Sequence, residues 1–161
     1  MAGTSGLILR KTRTFDAAPD RVFVAWTDAE QFGAWFGPVN MKTVACEIDA
    51  RVGGEWRLMG DGANIPGARP LDRVRPTVSG RYLEIDPPQR LVFTFAWHEK
   101  DDFSSPRSHE TIVTILFRPV GEGTEMVFTQ SIFTDQASHD AHNRGWTESL
   151  DKLGDFLRRA A

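Results

Sequence analysis

A chain of 161 residues with a net charge of −3 and one cysteine fits a single compact domain spanning residues 1–161. The lone Cys46 excludes an internal disulfide, a thiolate-cluster zinc site and an iron–sulfur centre, and points to a reducing compartment. With 19 Lys plus Arg against 22 Asp plus Glu and no long basic run, a phosphate backbone would gain little from counterion release, so nucleic acid is not an expected ligand.

Residues 1–15 offer only Leu7-Ile8-Leu9 before Arg10 and Lys11, too short for a signal core, and no apolar run approaches the roughly 20 residues of a membrane span. The reading is cytoplasmic, without membrane insertion. Residues 7–15 alternate as a first strand. Pro19 then opens a short helix with Val22, Phe23 and Trp26 on its apolar face, because a missing N–H costs nothing at the first helical position. Asp28 is placed to cap a second short helix, with Gln31 as its reciprocal partner and Phe32, Trp35 and Phe36 on the apolar side. Gly37-Pro38 ends it.

From residue 41 to 133 the pattern changes to strands broken by turn residues, expected near 41–49, 55–60, 76–86, 90–98, 109–119 and 124–133. Gly53-Gly54 reads as a turn with positive φ. The irregular stretch 61–75, with Pro66 and Pro70, reads as a loop, or as a lid over a pocket. Residues 135–159 form the best helix, because Trp146, Leu150, Leu153 and Leu157 step by four, three and four, and the same stripe runs back through His142 and His139.

Period-two parity puts Leu91, Phe93, Phe95 and Trp97 on one face of their strand. It also groups Val44, Cys46 and Ile48; Trp56 and Leu58; and Met126, Phe128 and Ile132. Eleven Phe and five Trp against one Tyr mean that nearly all aromatic surface lacks a hydroxyl and belongs in a core or an apolar cavity. A curved antiparallel sheet of six or seven strands, wrapped around the long C-terminal helix and preceded by two short helices, accommodates these faces. That is an α+β helix-grip fold.

The order of elements is similar to that of the helix-grip superfamily containing START lipid-binding domains and Bet v-type pollen allergens. The phrases Phe15-Asp16-Ala17-Ala18-Pro19, Ala25-Trp26-Thr27-Asp28, Trp35-Phe36-Gly37-Pro38, Arg51-Val52-Gly53-Gly54-Glu55-Trp56, Gly80-Arg81-Tyr82-Leu83-Glu84-Ile85, Pro87-Pro88-Gln89-Arg90-Leu91-Val92-Phe93 and His142 with Gly145-Trp146 narrow it. Together they resemble the homologues of the heat-shock-protein ATPase activator (AHSA-type, within the SRPBCC superfamily) over residues 7–158. The sequence departs from that pattern mainly in the longer 61–75 connection. The resemblance implies a cavity for a small hydrophobic molecule, aromatic or lipid-like, between sheet and helix. Full-length activators carry a further N-terminal domain that this sequence does not contain, so a chaperone partner is not expected.

The residues expected to line such a cavity are Trp35, Phe36, Trp56, Phe95, Trp97, Phe128, His142, Trp146 and Leu150. The same aromatics would equally fill a core, and His142 would equally serve as a core histidine bonded to a backbone carbonyl. No metal or other cofactor is expected, since His139 and His142 have no third ligand on their stripe. Cys46 has no basic neighbour and reads as an inert core thiol. Glu47 and Asp49 should face solvent, while Glu84 and Glu110 could turn inward. An aromatase- or cyclase-like enzyme using His142 and Glu110 is the alternative to simple binding, and the residues name no reaction. No exposed stripe predicts a homodimer interface, so oligomeric state stays open.

Overall fold

A computed structural model describes residues 7–39, 41–63, 73–133 and 135–159. Strand β1 (Leu9–Phe15) leads into helices α1 (Pro19–Thr27) and α2 (Ala29–Trp35). Then come β2 (Met41–Ile48), β3 (Glu55–Ala63), β4 (Arg73–Val74), β5 (Thr77–Asp86), β6 (Arg90–Trp97), β7 (Thr111–Val120) and β8 (Gly123–Ser131). Helix α3 (Gln136–Arg159) closes the chain. Every strand pairing is antiparallel, in the order β1-β8-β7-β6-β5-β3-β2, with the two-residue β4 attached to β3. This curled half-barrel with its long helix is the α+β helix-grip fold.

Residues 64–72 lie outside the described residues, and with them most of the 61–75 connection read as a loop or lid. Around that gap β3 runs three residues past its expected end and β4 occupies Arg73–Val74.

Local chemistry explains the first helices. Pro19 is the first residue of α1, and Asp28 caps α2 by accepting a hydrogen bond from Gln31 N at 3.0 Å. The reciprocal half of the expected box is not formed. Gln31 Oε1 instead accepts from Arg21 Nη1 of α1 at 3.2 Å, tying the two helices together. Asp28→Ala should therefore lower stability by about 0.5–2 kcal/mol, read as a shift of the urea midpoint with unchanged slope.

The core lies between the inner face of the sheet and the three helices. Trp26, Trp35, Trp56, Phe95, Phe128, Leu150 and Leu153 are all essentially inaccessible to solvent. Trp26 is at its centre, with ring centroids 4.7 Å from Trp35, 5.8 Å from Trp146 and 6.3 Å from Phe93 and Phe128. Its indole N–H is buried without a partner among the described residues.

Two parity expectations fail for local reasons. The β2–β3 register slips between Thr43 and Ala45, so Val44 faces solvent, and Cys46 and Ile48 are only half-buried. At the other end of the sheet the inward line Met126, Phe128 continues to Gln130, not to Ile132. The strand stops at Ser131, and Ile132 is exposed at φ 61°, unusual for a β-branched residue, with its carbonyl held by His109 Nε2–H. Gly53 takes φ +83° in the β2–β3 turn, as its sequence implied.

Candidate functional site

A cleft of about 860 Å³ lies between α3, the residues after α2 and the ends of β5 and β6. Its apolar wall is Phe36, Phe95, Trp97 and Trp146. The facing wall is the first half of α3, where Ala137, Ala141 and Gly145 recur every fourth residue, on one face of the helix. A Cβ placed on Gly145 would meet no atom of the described residues within 4 Å, so among them the space in front of it is empty.

The cleft is held open by polar anchors that use up the groups around it. Gly37 N donates to Ser149 Oγ at 3.1 Å, Val39 N donates to Glu148 Oε1 at 2.9 Å, and Lys152 Nζ donates to Gly37 O at 3.1 Å. These bonds fasten the α2–β2 connection to α3. Burial lowers the Lys152 pKa, while Glu148 pulls it back up.

Beneath the cleft, Trp146 Nε1 donates to Gln130 Oε1 at 2.9 Å and Gln130 Nε2 donates to Thr111 Oγ1 at 2.8 Å. Thr111 Oγ1 in turn donates a hydrogen bond to Phe95 O at 3.0 Å. The two cavity aromatics are thereby linked by one buried chain.

His142 lines the cleft and has both ring nitrogens engaged. Trp97 Nε1 donates to its Nε2 at 2.9 Å, and its Nδ1 lies 2.8 Å from Ser138 O. An indole nitrogen can only donate, so Nε2 is the acceptor and Nδ1 carries the proton. Burial pushes its pKa below the ordinary imidazole value, with His139 adding to the shift and the Ser138 bond opposing it. His98 is satisfied in the same manner, accepting from the Ser79 hydroxyl at 2.7 Å and donating to Ser105 O at 3.0 Å. Thr77 Oγ1 donates to Arg75 O at 3.0 Å. The remaining polar lining is the half-buried Ser138 and, exposed at the rim, Arg75, Glu99, Asp101 and Arg144.

Of the nine residues expected around a cavity, Phe36, Phe95, Trp97, His142 and Trp146 meet on its wall. Trp35, Trp56, Phe128 and Leu150 lie behind them in the packed core, with the Trp35 and Trp56 indoles donating to Ala25 O and Thr94 O. Sequence reasoning passed over Gln130, Ser149, Glu148 and Lys152. Parity along β8 carries the signal for Gln130, which shares the face of Met126 and Phe128. Ser149 is next to Leu150 on the buried side of α3.

Glu47, Asp49, Glu84 and Glu110 do not line the cleft. Glu84 pairs with Arg90 and Glu110 with Arg107 at the surface, correcting the expectation that either could turn inward. Glu47 pairs with Arg57 and Asp49 with Arg51, both exposed. Burial, with Asp28 and Glu47 adding, pushes the Cys46 thiol up to about 11, which leaves it protonated and unreactive at neutral pH. Among the described residues no group of three or more His, Cys, Asp or Glu could hold a metal ion, and no helix is long and apolar enough to cross a membrane.

Residues 16–158 match the family model described as activator of Hsp90 ATPase homolog 1-like protein. The chain belongs to this family. A solved structure of an AHSA1 protein from Silicibacter pomeroyi is 27% identical, superposes with a TM-score of 0.80, and the match covers 96% of this chain and 99% of that one. An uncharacterised protein from Rhizobium leguminosarum is also 27% identical, with a TM-score of 0.76 and 94% of each chain covered. A protein from Chromobacterium violaceum is 26% identical, with a TM-score of 0.75 and coverage of 94% and 96%. No curated protein matches. The AHSA1-like relationship accounts for the helix-grip architecture, and it supplies no ligand.

Proposed function

We propose that this AHSA1-like domain holds a small apolar molecule, aromatic or lipid-like, in the cleft between β6 and α3. One observation carries the reading: a space of about 860 Å³, within the usual range for ligand pockets, is walled by Phe36, Phe95, Trp97 and Trp146 while the ring nitrogens of Trp97, His142 and Trp146 are already paired within the protein. A buried guest therefore meets aromatic walls whose ring nitrogens are engaged and gains chiefly by removing apolar surface from water. Polar parts of the guest would reach the rim charges. For the acid–base alternative, His142 lies on the cleft wall, while the Glu110–Arg107 pair keeps its suggested carboxylate partner at the surface.

Gly145 supplies the test. Gly145→Leu would project a side chain into the empty space without meeting another atom at Cβ, and it replaces a poor helix former by a good one. Binding of the uncharged fluorophore N-phenyl-1-naphthylamine should weaken at least tenfold, while the thermal midpoint holds or rises by the equivalent of up to about 1 kcal/mol. Equal binding to the wild-type and Gly145→Leu proteins would overturn the assignment, as would no binding to either.

A further inference from the structure

Helix α3 is joined to β6 across the cavity wall by a side-chain bond whose acceptor can be titrated. Trp97 Nε1 donates to His142 Nε2 at 2.9 Å, and both residues face the cleft. His142 Nδ1 is fixed as the donor to Ser138 O at 2.8 Å. Phe95 and Phe133 pack on the imidazole, with ring centroids at 5.8 and 5.2 Å.

We propose that the Trp97–His142 bond is an acid-sensitive latch on the cavity, which opens when His142 is protonated and lets the apolar guest leave. The proposal rests on the binding reading above for its guest, though not for the latch itself. Protonation places an N–H on both ring nitrogens, so at Nε2 one donor meets another and the bond to Trp97 is lost. The wall between β6 and α3 then lacks this side-chain tie, beside which α3 lines the cleft with the small residues Ala137, Ser138, Ala141 and Gly145.

Of the groups around the imidazole, the Ser138 carbonyl favours the cation, and burial outweighs it. From β6 it meets Phe95 and Trp97, and from the β8–α3 connection Phe133, none of which titrates. Within α3, His139 opposes a second positive charge. The charges elsewhere around the cleft are Arg75, Glu99, Asp101 and Arg144, all exposed at its rim. Since folding lowers this pKa, the unfolded chain takes up the proton first. The stability carried by neutral His142 is full above the ordinary imidazole value of about 6.5 and is lost as pH falls through the folded value.

The test follows the Trp97 indole N–H by 15N–1H NMR in the ligand-free protein, alongside N-phenyl-1-naphthylamine binding, as pH is lowered from 8. The indole resonance, assigned by its loss in Trp97→Phe, should follow a one-proton titration with a midpoint below 6.5, and amide exchange of residues 137–145 should quicken with it. Below that midpoint the apparent Kd should rise about tenfold per pH unit. In His142→Gln, which cannot titrate, the Kd should be flat with pH, whatever its absolute value. Trp97→Phe removes a bond that only the neutral ring accepts, so the His142 midpoint should move upward. An indole resonance or helix exchange indifferent to pH, or a Kd slope that survives in His142→Gln, would overturn the latch and leave the cavity reading standing. Failure of the fluorophore to bind at pH 8 would overturn the cavity reading while the indole titration still reports on the latch.

Discussion

Truncation of Trp146 to alanine is expected to remove about 3–5 kcal/mol of stability, a large share of what a domain of this size possesses. The indole is 3% exposed, with ring centroids 4.5 Å from Phe128, 5.5 Å from Phe36 and 5.8 Å from both Trp26 and Phe95. Its N–H also satisfies Gln130 Oε1 at 2.9 Å, and Gln130 is completely buried. Losing the donor orphans that oxygen, at about 1–3 kcal/mol. Trp146→Phe separates the contributions, keeping a ring while deleting the donor, and should cost about the orphaning amount alone. Urea unfolding followed by far-UV circular dichroism measures both, as a fall in midpoint with little change in slope. An unchanged midpoint in Trp146→Ala would mean that α3 is not anchored through this side chain.

Gly80→Ala should be comparably severe, at about 3 kcal/mol or more, because overpacking against backbone cannot be relieved by a rotamer change. A Cβ there would lie 1.7 Å from Thr94 O and 2.4 Å from Trp56 Nε1. Trp56 is paired across β3 and β5 with Gly80, and its indole donates to Thr94 O at 3.1 Å. A methyl group would push the indole off its acceptor and part β5 from β6. A thermal midpoint lowered by many degrees, with aggregation from the opened sheet, is the expected result; a midpoint within a degree of wild type would refute this account of the packing. Gly145→Leu is the internal control, since it enlarges a glycine that faces empty space.

Much of this architecture could be read from residue order because turn chemistry separates the strands cleanly and the first two helices start with their own signals. Pro19 and Asp28 act where their chemistry requires, and the Trp146, Leu150, Leu153, Leu157 stripe is buried along its length. The failures arise where one residue is inserted or a strand stops. Nothing in Thr43-Val44-Ala45 announces the slip that turns Val44 outward, and a polar Gln130 hides the inward line that apolar Ile132 seemed to continue. The cavity was harder still. Aromatic residues at inward positions look alike whether they fill space or border it, so Trp35 and Trp56 could not be told from Phe36 and Trp97 without knowing where α3 is thin. That thinness comes from Ala137, Ala141 and Gly145, which carry almost no side chain and hence almost no signal of their own.

The pairing of β1 with β8 also governs how the chain acquires its structure. Leu9 must wait for Gln130, and Phe15 for Thr124, before either edge of that ladder is satisfied. During synthesis the opening strand and the tryptophans of α1 and α2 leave the ribosome long before their partners exist, because loop closure over such a separation cannot precede translation of the eighth strand. Productive assembly must therefore wait for β8 and be slow compared with that of helical bundles, and the interval before β8 arrives is when an exposed, aromatic-rich nascent segment is most open to aggregation.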